Sequence, residues 1–233
     1  CGHDTEKMSK SKSNVVNPDE IINKYGSDTL RMYEMFLGPI EQSKPWNTNG
    51  IDGVFKFLNK FWNLFNNKNN HLHISDKEPN KNEYKILHRA IKKIQDDIER
   101  LSLNTCISLL MITVNELGKI NCNKIKILEP LLILISPFAP HIAEELWNKI
   151  GNEKSISYAN YPTFKNKYLI ENEYEYPIMI NGKLRTKINF SLKASNHEIE
   201  KVVINNESVQ KWIKNSEVKQ IIIVTNKIIN VVA

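Results

Sequence analysis

Lys7-Met8-Ser9-Lys10-Ser11, continued by Lys12-Ser13-Asn14-Val15-Val16-Asn17-Pro18-Asp19-Glu20, places a polar loop directly before a helix. Lysines alternating with serines offer no apolar stripe, so this first segment is irregular. Pro18 biases Asn17 away from the helical region and itself fits a first helical turn. Asp19 and Glu20 then sit at the positive end of the helix dipole. Ile21 and Ile22 begin an apolar face, and Tyr25-Gly26 ends it. Asp28-Thr29 starts a second helix, with Leu30, Tyr33, Met35 and Phe36 as its apolar surface, stopped by Gly38-Pro39.

Beyond the irregular stretch Ser43-Lys44-Pro45-Trp46, helical spacing returns from Gly50 to Phe65 through Val54, Phe57, Leu58, Phe61 and Leu64. Residues 66–83 are polar, asparagine-rich and broken by Pro79, which reads as an internal linker. From 84 to 150 the chain is mostly helical. Leu87, Ile91, Ile94, Ile98 and Leu101 mark one helix; Asn104 to Leu117, closed by Gly118, a second. A third runs from Pro130 through Ile135, or starts earlier and kinks at Pro130; Pro140 to Ile150 is a fourth. Short connections between such helices predict an antiparallel bundle.

The period then changes. Tyr176 to Ile180 reads as a strand, Asn181-Gly182 as a hairpin turn, and Leu184 to Phe190 as the returning strand. Strict alternation puts Leu184, Thr186, Ile188 and Phe190 on one face and Arg185 and Lys187 on the other. Asn196 to Trp212 reads as one helix. Val218 to Thr225 and Lys227 to Val232 form a second strand pair around Asn226. The fold class is therefore multidomain and mainly α, with a small α+β domain over 175–233.

With 233 residues, 41% of them hydrophobic and 25% charged, the chain can bury a sizeable core and is not generally disordered. The longest apolar run, Leu131 to Ile135, is too short to span a membrane. The opening Cys-Gly-His-Asp-Thr-Glu-Lys has no signal-peptide pattern, so a cytoplasmic location is expected. Cys1, Cys106 and Cys122 form no close pair, and Cys1 with His3 does not make a site, so no metal ligands are assigned and no zinc site is expected. The net charge of +6 only raises the prior for an RNA partner; from residue 175 onward nine basic side chains face five acidic ones. Lysine outnumbers arginine 28 to 4 and asparagine occurs 30 times, the skew an AT-rich coding sequence writes. Single lysines and asparagines therefore carry little weight.

Lys7-Met8-Ser9-Lys10-Ser11 matches the second signature of class I aminoacyl-tRNA synthetases. Ser13-Asn14-Val15-Val16-Asn17-Pro18-Asp19, followed by Tyr25-Gly26-Ser27-Asp28-Thr29-Leu30-Arg31, resembles the helix after that signature in the leucine, isoleucine, valine and methionine branch. Met35-Phe36-Leu37-Gly38-Pro39, Ser43-Lys44-Pro45-Trp46 and Gly50-Ile51-Asp52-Gly53-Val54 look like the bacterial leucyl-tRNA synthetase family in particular. Ser136-Pro137-Phe138-Ala139-Pro140-His141 through Trp147 resembles the last helix of the anticodon-binding bundle, and Ile180 to Ile188 the start of the leucine enzymes' tRNA-binding tail. The isoleucine enzymes' cysteine-rich zinc module and the valine enzymes' terminal coiled coil are both missing from the sequence. Ser27 stands where the family commonly has Ala, and Thr186 where Gly or Ala is usual.

The resemblance implies three parts. Residues 1–45 would be the end of a Rossmann-type catalytic domain with its signature loop. Residues 46–160 would be the helical anticodon-binding domain, with the polar linker 66–83 inside it, and 175–233 a tRNA-binding carboxy-terminal domain. It also implies leucine activation by ATP, with Mg2+ accompanying the ATP. Lys7, Met8, Ser9, Lys10 and Ser11 would form the ATP-binding loop, with Lys7, Ser9 and Lys10 serving catalysis and Lys10 touching ATP most directly. Met8 would instead pack against the body as a hinge anchor, and Lys12 would be surface charge.

Asp28 and Arg31 read as a surface or capping pair, or as catalytic support. Trp46 reads as core or ligand contact, and His141 as structural or tRNA-facing. Lys183, Arg185 and Lys187, with Lys227 as a weaker member, are candidate contacts for tRNA(Leu), unless they only guard a sheet edge. The first signature of the class, the leucine pocket and the editing domain do not occur here. The chain is thus expected to act only with an amino-terminal catalytic half, or else as a stand-alone, non-catalytic tRNA-binding protein.

Overall fold

The computed structural model describes residues 6–170, 173–213 and 218–233. It is mainly helical with one small sheet, and the chain divides into two compact units, Cys1–Leu169 and Ile170–Ala233.

The first unit holds seven α-helices among its described residues: α1 (Pro18–Tyr25), α2 (Ser27–Phe36), α3 (Thr48–Phe65), α4 (Lys81–Glu99), α5 (Leu103–Lys119), α6 (Ile125–Ile135) and α7 (Pro140–Lys149). Asn17 caps α1 by accepting the Asp19 amide at 3.0 Å, and Gly26, at φ +85°, makes the corner into α2. α4 opens with a reciprocal capping box: Asn80 Oδ1 accepts from Glu83 N at 2.9 Å, and Glu83 Oε2 accepts from Asn80 N at 2.7 Å. Three residues join α4 to α5. Arg89 meets Glu116, the Cys106 thiol faces the Ile94 carbonyl, and Thr105 donates to Asp97. One partner's number rises as the other's falls, so the two helices run antiparallel.

α6 takes the earlier of its two expected starts, with Pro130 inside it. α5 runs through Gly118 to Lys119. The segment 66–83 is not a loose connection. Asn66 bridges Leu72, the Ser75 amide donates to the Asn123 carbonyl at 2.8 Å, and the Ile125 amide to the Ser75 carbonyl at 3.0 Å. Its Pro79 is buried. Polar composition concealed a segment whose hydrogen bonds go to backbone rather than water. A single buried cluster extends from Ile21 and Met32 through Phe61, Ile94 and Leu110 to Ile156. Residues before 46 and after it thus share one core.

The second unit contains β1 (Glu173–Ile180), β2 (Lys183–Ser191), α8 (Asn196–Asn205), α9 (Glu207–Ile213), β3 (Gln220–Val224) and β4 (Ile228–Val232). Asn181 and Gly182, at φ +48° and +77°, form the two-residue hairpin turn. The sheet order is β2-β1-β4-β3, with β1 and β4 parallel at its centre and antiparallel pairs outside. Ile178, Ile229 and Val231 meet Val203, Val209 and Ile213 of the helices in the second core. The single helix expected over 196–212 is two. Asn206 leaves the helical region, and its side chain accepts from the Ser208 amide at 3.0 Å to cap α9. Among the described residues no helix is long and apolar enough to cross a membrane.

Candidate functional site

The Lys7–Ser11 loop is shaped by one short turn and one side chain. Ser9 is extended at φ −151°, Lys10–Lys12 form a single 3-10 turn, and Ser13, at φ +52°, closes it with its amide on the Lys10 carbonyl at 3.2 Å. Asn14 then clasps the loop from behind. Its Oδ1 accepts the Ser9 amide at 2.8 Å, and its Nδ2 donates to the Lys7 carbonyl at 3.4 Å. The Ser9 and Ser11 hydroxyls lie 3.2 Å apart. Lys12 is paired with Glu6, while among the described residues Lys7 and Lys10 take no ion-pair partner and are exposed. Two mobile ammonium groups and two hydroxyls on a fixed backbone suit an anion with several oxygens.

Met8 does not anchor the loop: it is 39% exposed, and Val16 is the residue that packs against the core. Met8 lies before the 3-10 turn, whereas Val16 lies next to Asn17, the cap of α1. Asn14 was the residue sequence reasoning missed. Asn14→Ala is expected to speed amide exchange at Ser9 about tenfold, the loss of roughly one net hydrogen bond, with the melting temperature unchanged. Hydrogen–deuterium exchange of the 233-residue chain measures this; an unchanged Ser9 rate would show that Asn14 does not hold the loop.

Asp28 and Arg31 do not pair with each other. Asp28, largely buried in the first turn of α2, reaches the start of α7. Its Oδ2 accepts the Ile142 amide at 2.7 Å, and its Oδ1 meets the His141 amide at 3.3 Å and Nδ1 at 2.7 Å. Arg31 Nη2 donates to the Pro137 carbonyl at 3.3 Å. His141 is thus held at its base, with its side chain 71% exposed. Trp46 sits edge-on to Tyr33, ring centres 5.2 Å apart, and packs against the core.

The basic face expected on β2 is divided. A bulge opposite Ile178 and Met179 makes Thr186 pair with Ile178 and Leu184 with Met179, leaving Arg185 as the extra residue. Alternation fails there. Leu184 turns outward, 55% exposed, and Arg185 swings onto α9, its guanidinium carbon 3.6 Å from the centre of the Trp212 ring. Lys187 stays opposite, bonded to Glu175 at 2.8 Å, a contact that raises its pKa. Lys183, at the hairpin, and Lys227, in the β3–β4 turn, are exposed.

Among the described residues no group of three or more His, Cys, Asp or Glu side chains could hold a metal ion. Cys1 and His3 lie outside the described residues. Burial pushes the Cys106 and Cys122 thiols up to about 11, which keeps them protonated.

Residues 80–204 match the family model described as the anticodon-binding domain of tRNA ligase, and residues 2–44 that of the class I tRNA synthetases (I, L, M and V). The first match crosses from the helical unit into the first strands and helix of the second. Leucine--tRNA ligase of Cytophaga hutchinsonii is 58% identical over 232 residues, covering 100% of this chain and 25% of that protein. The Flavobacterium psychrophilum enzyme of the same name is 52% identical over 99% of this chain and 24% of its own length. Among solved structures, the ternary complex of Agrobacterium radiobacter K84 agnB2 LeuRS-tRNA-LeuAMS matches with a TM-score of 0.66 and 27% identity, over 97% of this chain and 31% of that one. The chain spans about a quarter of the length of the curated relatives it matches. The chain therefore belongs to the tRNA ligases that carry this anticodon-binding domain, and along its whole length it is similar to a carboxy-terminal part of leucine--tRNA ligase.

Proposed function

We propose that this chain supplies the ATP-handling loop and the tRNA-binding domains of a leucine--tRNA ligase, and works with an amino-terminal catalytic half. The observation that carries this reading is continuous similarity to leucine--tRNA ligases across the whole chain, joined to a loop whose Lys7 and Lys10 stand exposed on a fixed backbone. In the reaction, the leucine carboxylate attacks the α-phosphate of ATP, giving leucyl-adenylate and pyrophosphate. The terminal ribose hydroxyl of tRNA(Leu) then attacks the activated carbonyl, breaking its bond to the phosphate oxygen and releasing AMP. Negative charge shifts onto the leaving pyrophosphate, so positioning and cationic stabilisation dominate.

Lys7 and Lys10 follow the phosphate oxygens, with Lys10 closest. Ser9 and Ser11 bind phosphate or fix the loop, and Met8 lies at the nucleotide side of the same loop. The loop's ammonium and hydroxyl donors fit phosphate and do not fit a divalent cation. Mg2+ would therefore be held by the ATP itself and by residues of the catalytic half. Residues 1–45 end the catalytic domain, 46–160 form the anticodon-binding bundle and 175–233 the tRNA-binding tail. In the tail, Lys183 and Lys227 are the most available phosphate contacts. Arg185 presents a stacked guanidinium beside Trp212, and Lys187 would have to share its charge with Glu175.

The test is co-purification with a candidate catalytic half, followed by leucylation of tRNA. Pyrophosphate exchange is expected from the assembly and not from this chain alone. Exchange by the lone chain would overturn the requirement for a partner half. Leucylation absent from the assembly, with tRNA binding retained, would favour a non-catalytic tRNA-binding protein. Separately, titration of the chain with tRNA(Leu) at 50 and 200 mM salt is expected to show affinity falling roughly 10- to 50-fold, the range for about three released phosphate contacts. Salt-independent affinity would sink the phosphate-led interface.

A further inference from the structure

We infer that Asp28 is a positioning residue that couples the bundle helix α7 to the Lys7–Ser11 loop; this rests on the ligase reading above. α7 lacks a cap of its own. Its N-cap position is Ala139, which has no side-chain acceptor. The acceptor is supplied instead from 113 residues earlier in the chain, by the Asp28 carboxylate on the His141 and Ile142 amides. One helical turn further along α2, Arg31 holds the Pro137 carbonyl in the turn that enters α7. Ser27 Oγ adds a contact to His141 Nδ1 at 3.3 Å. Three successive features of α2 thus grip the first turn of α7 and the bend before it.

From there the path to the loop is short. α2 is joined to α1 by Gly26 alone, and Asn17 caps α1 three residues after Asn14, the clasp on Ser9 and Lys7. A shift of α7 against α2 is therefore passed through α1 and its cap to the residue that clasps the loop. A locally encoded cap would stabilise α7 equally well but would carry no displacement to α2. A cap borrowed from α2 makes the helix end and the loop-bearing pair move as one body. When tRNA engages the bundle, that link sets the loop in register with the acceptor end.

The test separates capping from coupling. In the assembled enzyme, Asp28→Ala removes the carboxylate, the one part of the grip that caps the α7 amides. The double variant Asp28→Ala with Ala139→Ser gives α7 a local cap while leaving the carboxylate link from α2 absent. The double variant is expected to melt within about 2 °C of wild type and to keep pyrophosphate exchange within about twofold. Its kcat for tRNA leucylation is expected to fall about tenfold, with little change in KM for tRNA. Leucylation restored along with stability would show Asp28 to be only a cap and overturn the inference; so would exchange and leucylation falling in step. Should the double variant melt lower, exposed Arg31→Ala decides. A fall of about threefold in leucylation alone supports coupling, and unchanged leucylation overturns it. A wild-type assembly that does not leucylate tRNA would overturn the ligase reading and this inference with it, an outcome distinct from an active wild type whose variants show no split.

Discussion

Lys10→Ala is expected to slow pyrophosphate exchange by the assembled enzyme roughly 10²- to 10³-fold, the usual cost of removing one charge-stabilising donor from a transition state. Lys10 begins the single 3-10 turn, and its side chain is exposed with no ion pair among the described residues. Among the described residues nothing competes for the charge of its side chain. The variant's melting temperature and the chain's affinity for tRNA should therefore match wild type, which separates a chemical loss from a structural one. Lys10→Arg keeps the charge but replaces a compact, rotatable ammonium with a planar fork, so it should recover only part of the rate. Lys12→Ala is the internal control: Lys12 is engaged by Glu6 and should change exchange less than about threefold. If Lys10→Ala and Lys12→Ala slow exchange equally, the loop acts through bulk positive charge and the assignment to Lys10 fails.

Features written within a few adjacent residues were legible from sequence. Asn17-Pro18-Asp19 starts α1 and Asn181-Gly182 turns the hairpin because each rests on local backbone preference. The run from Leu87 to Ile98 marks α4 because its period matches one helical face. Other features were present in the letters but hidden by composition. Asn80 and Glu83 form a capping box, and Asn14 clasps the loop, yet in a chain this rich in asparagine neither stands out. Asn206 ends α8 and caps α9, while the apolar spacing from Ile199 to Ile213 runs on as though unbroken.

The remaining features depend on partners distant in sequence. Alternation places Arg185 beside Lys187 only if β2 pairs in regular register with β1, and the bulge breaks that register. The parallel pairing of β1 with β4 joins residues about fifty apart. Asp28 was visible as a helix-start residue, but its acceptor role is defined by His141 and Ile142. The candidate loop was therefore named by its letters, and what holds it in place was not.

Phe61→Ala carries the largest expected cost to stability, about 3–5 kcal/mol. Phe61 is fully buried on α3, between Phe57 and Phe65, with ring centres 6.5 and 5.4 Å away. Truncation removes a ring from a helix whose neighbours are fixed on both sides, so the void cannot readily close. For a unit of this size the loss corresponds to a fall of roughly 6–20 °C in melting temperature. Phe55, six residues earlier on the same helix, is 39% exposed and meets the Tyr25 ring in a T-shaped contact with centres 5.8 Å apart, so Phe55→Ala should cost less than about 1 kcal/mol. The contrast tests whether α3 is seated by its buried face. The second unit has a separate core, so the loss should be confined: exchange protection should drop in α3 to α7 while Ile178 in β1 and Ile229 and Val231 in β4 keep theirs. Protection lost equally in both units would mean that they unfold as one, and would remove the basis for treating the tail as an independent module. Protection retained in the tail would place any accompanying loss of tRNA affinity in the bundle, and give a direct measure of how much of the binding each unit supplies.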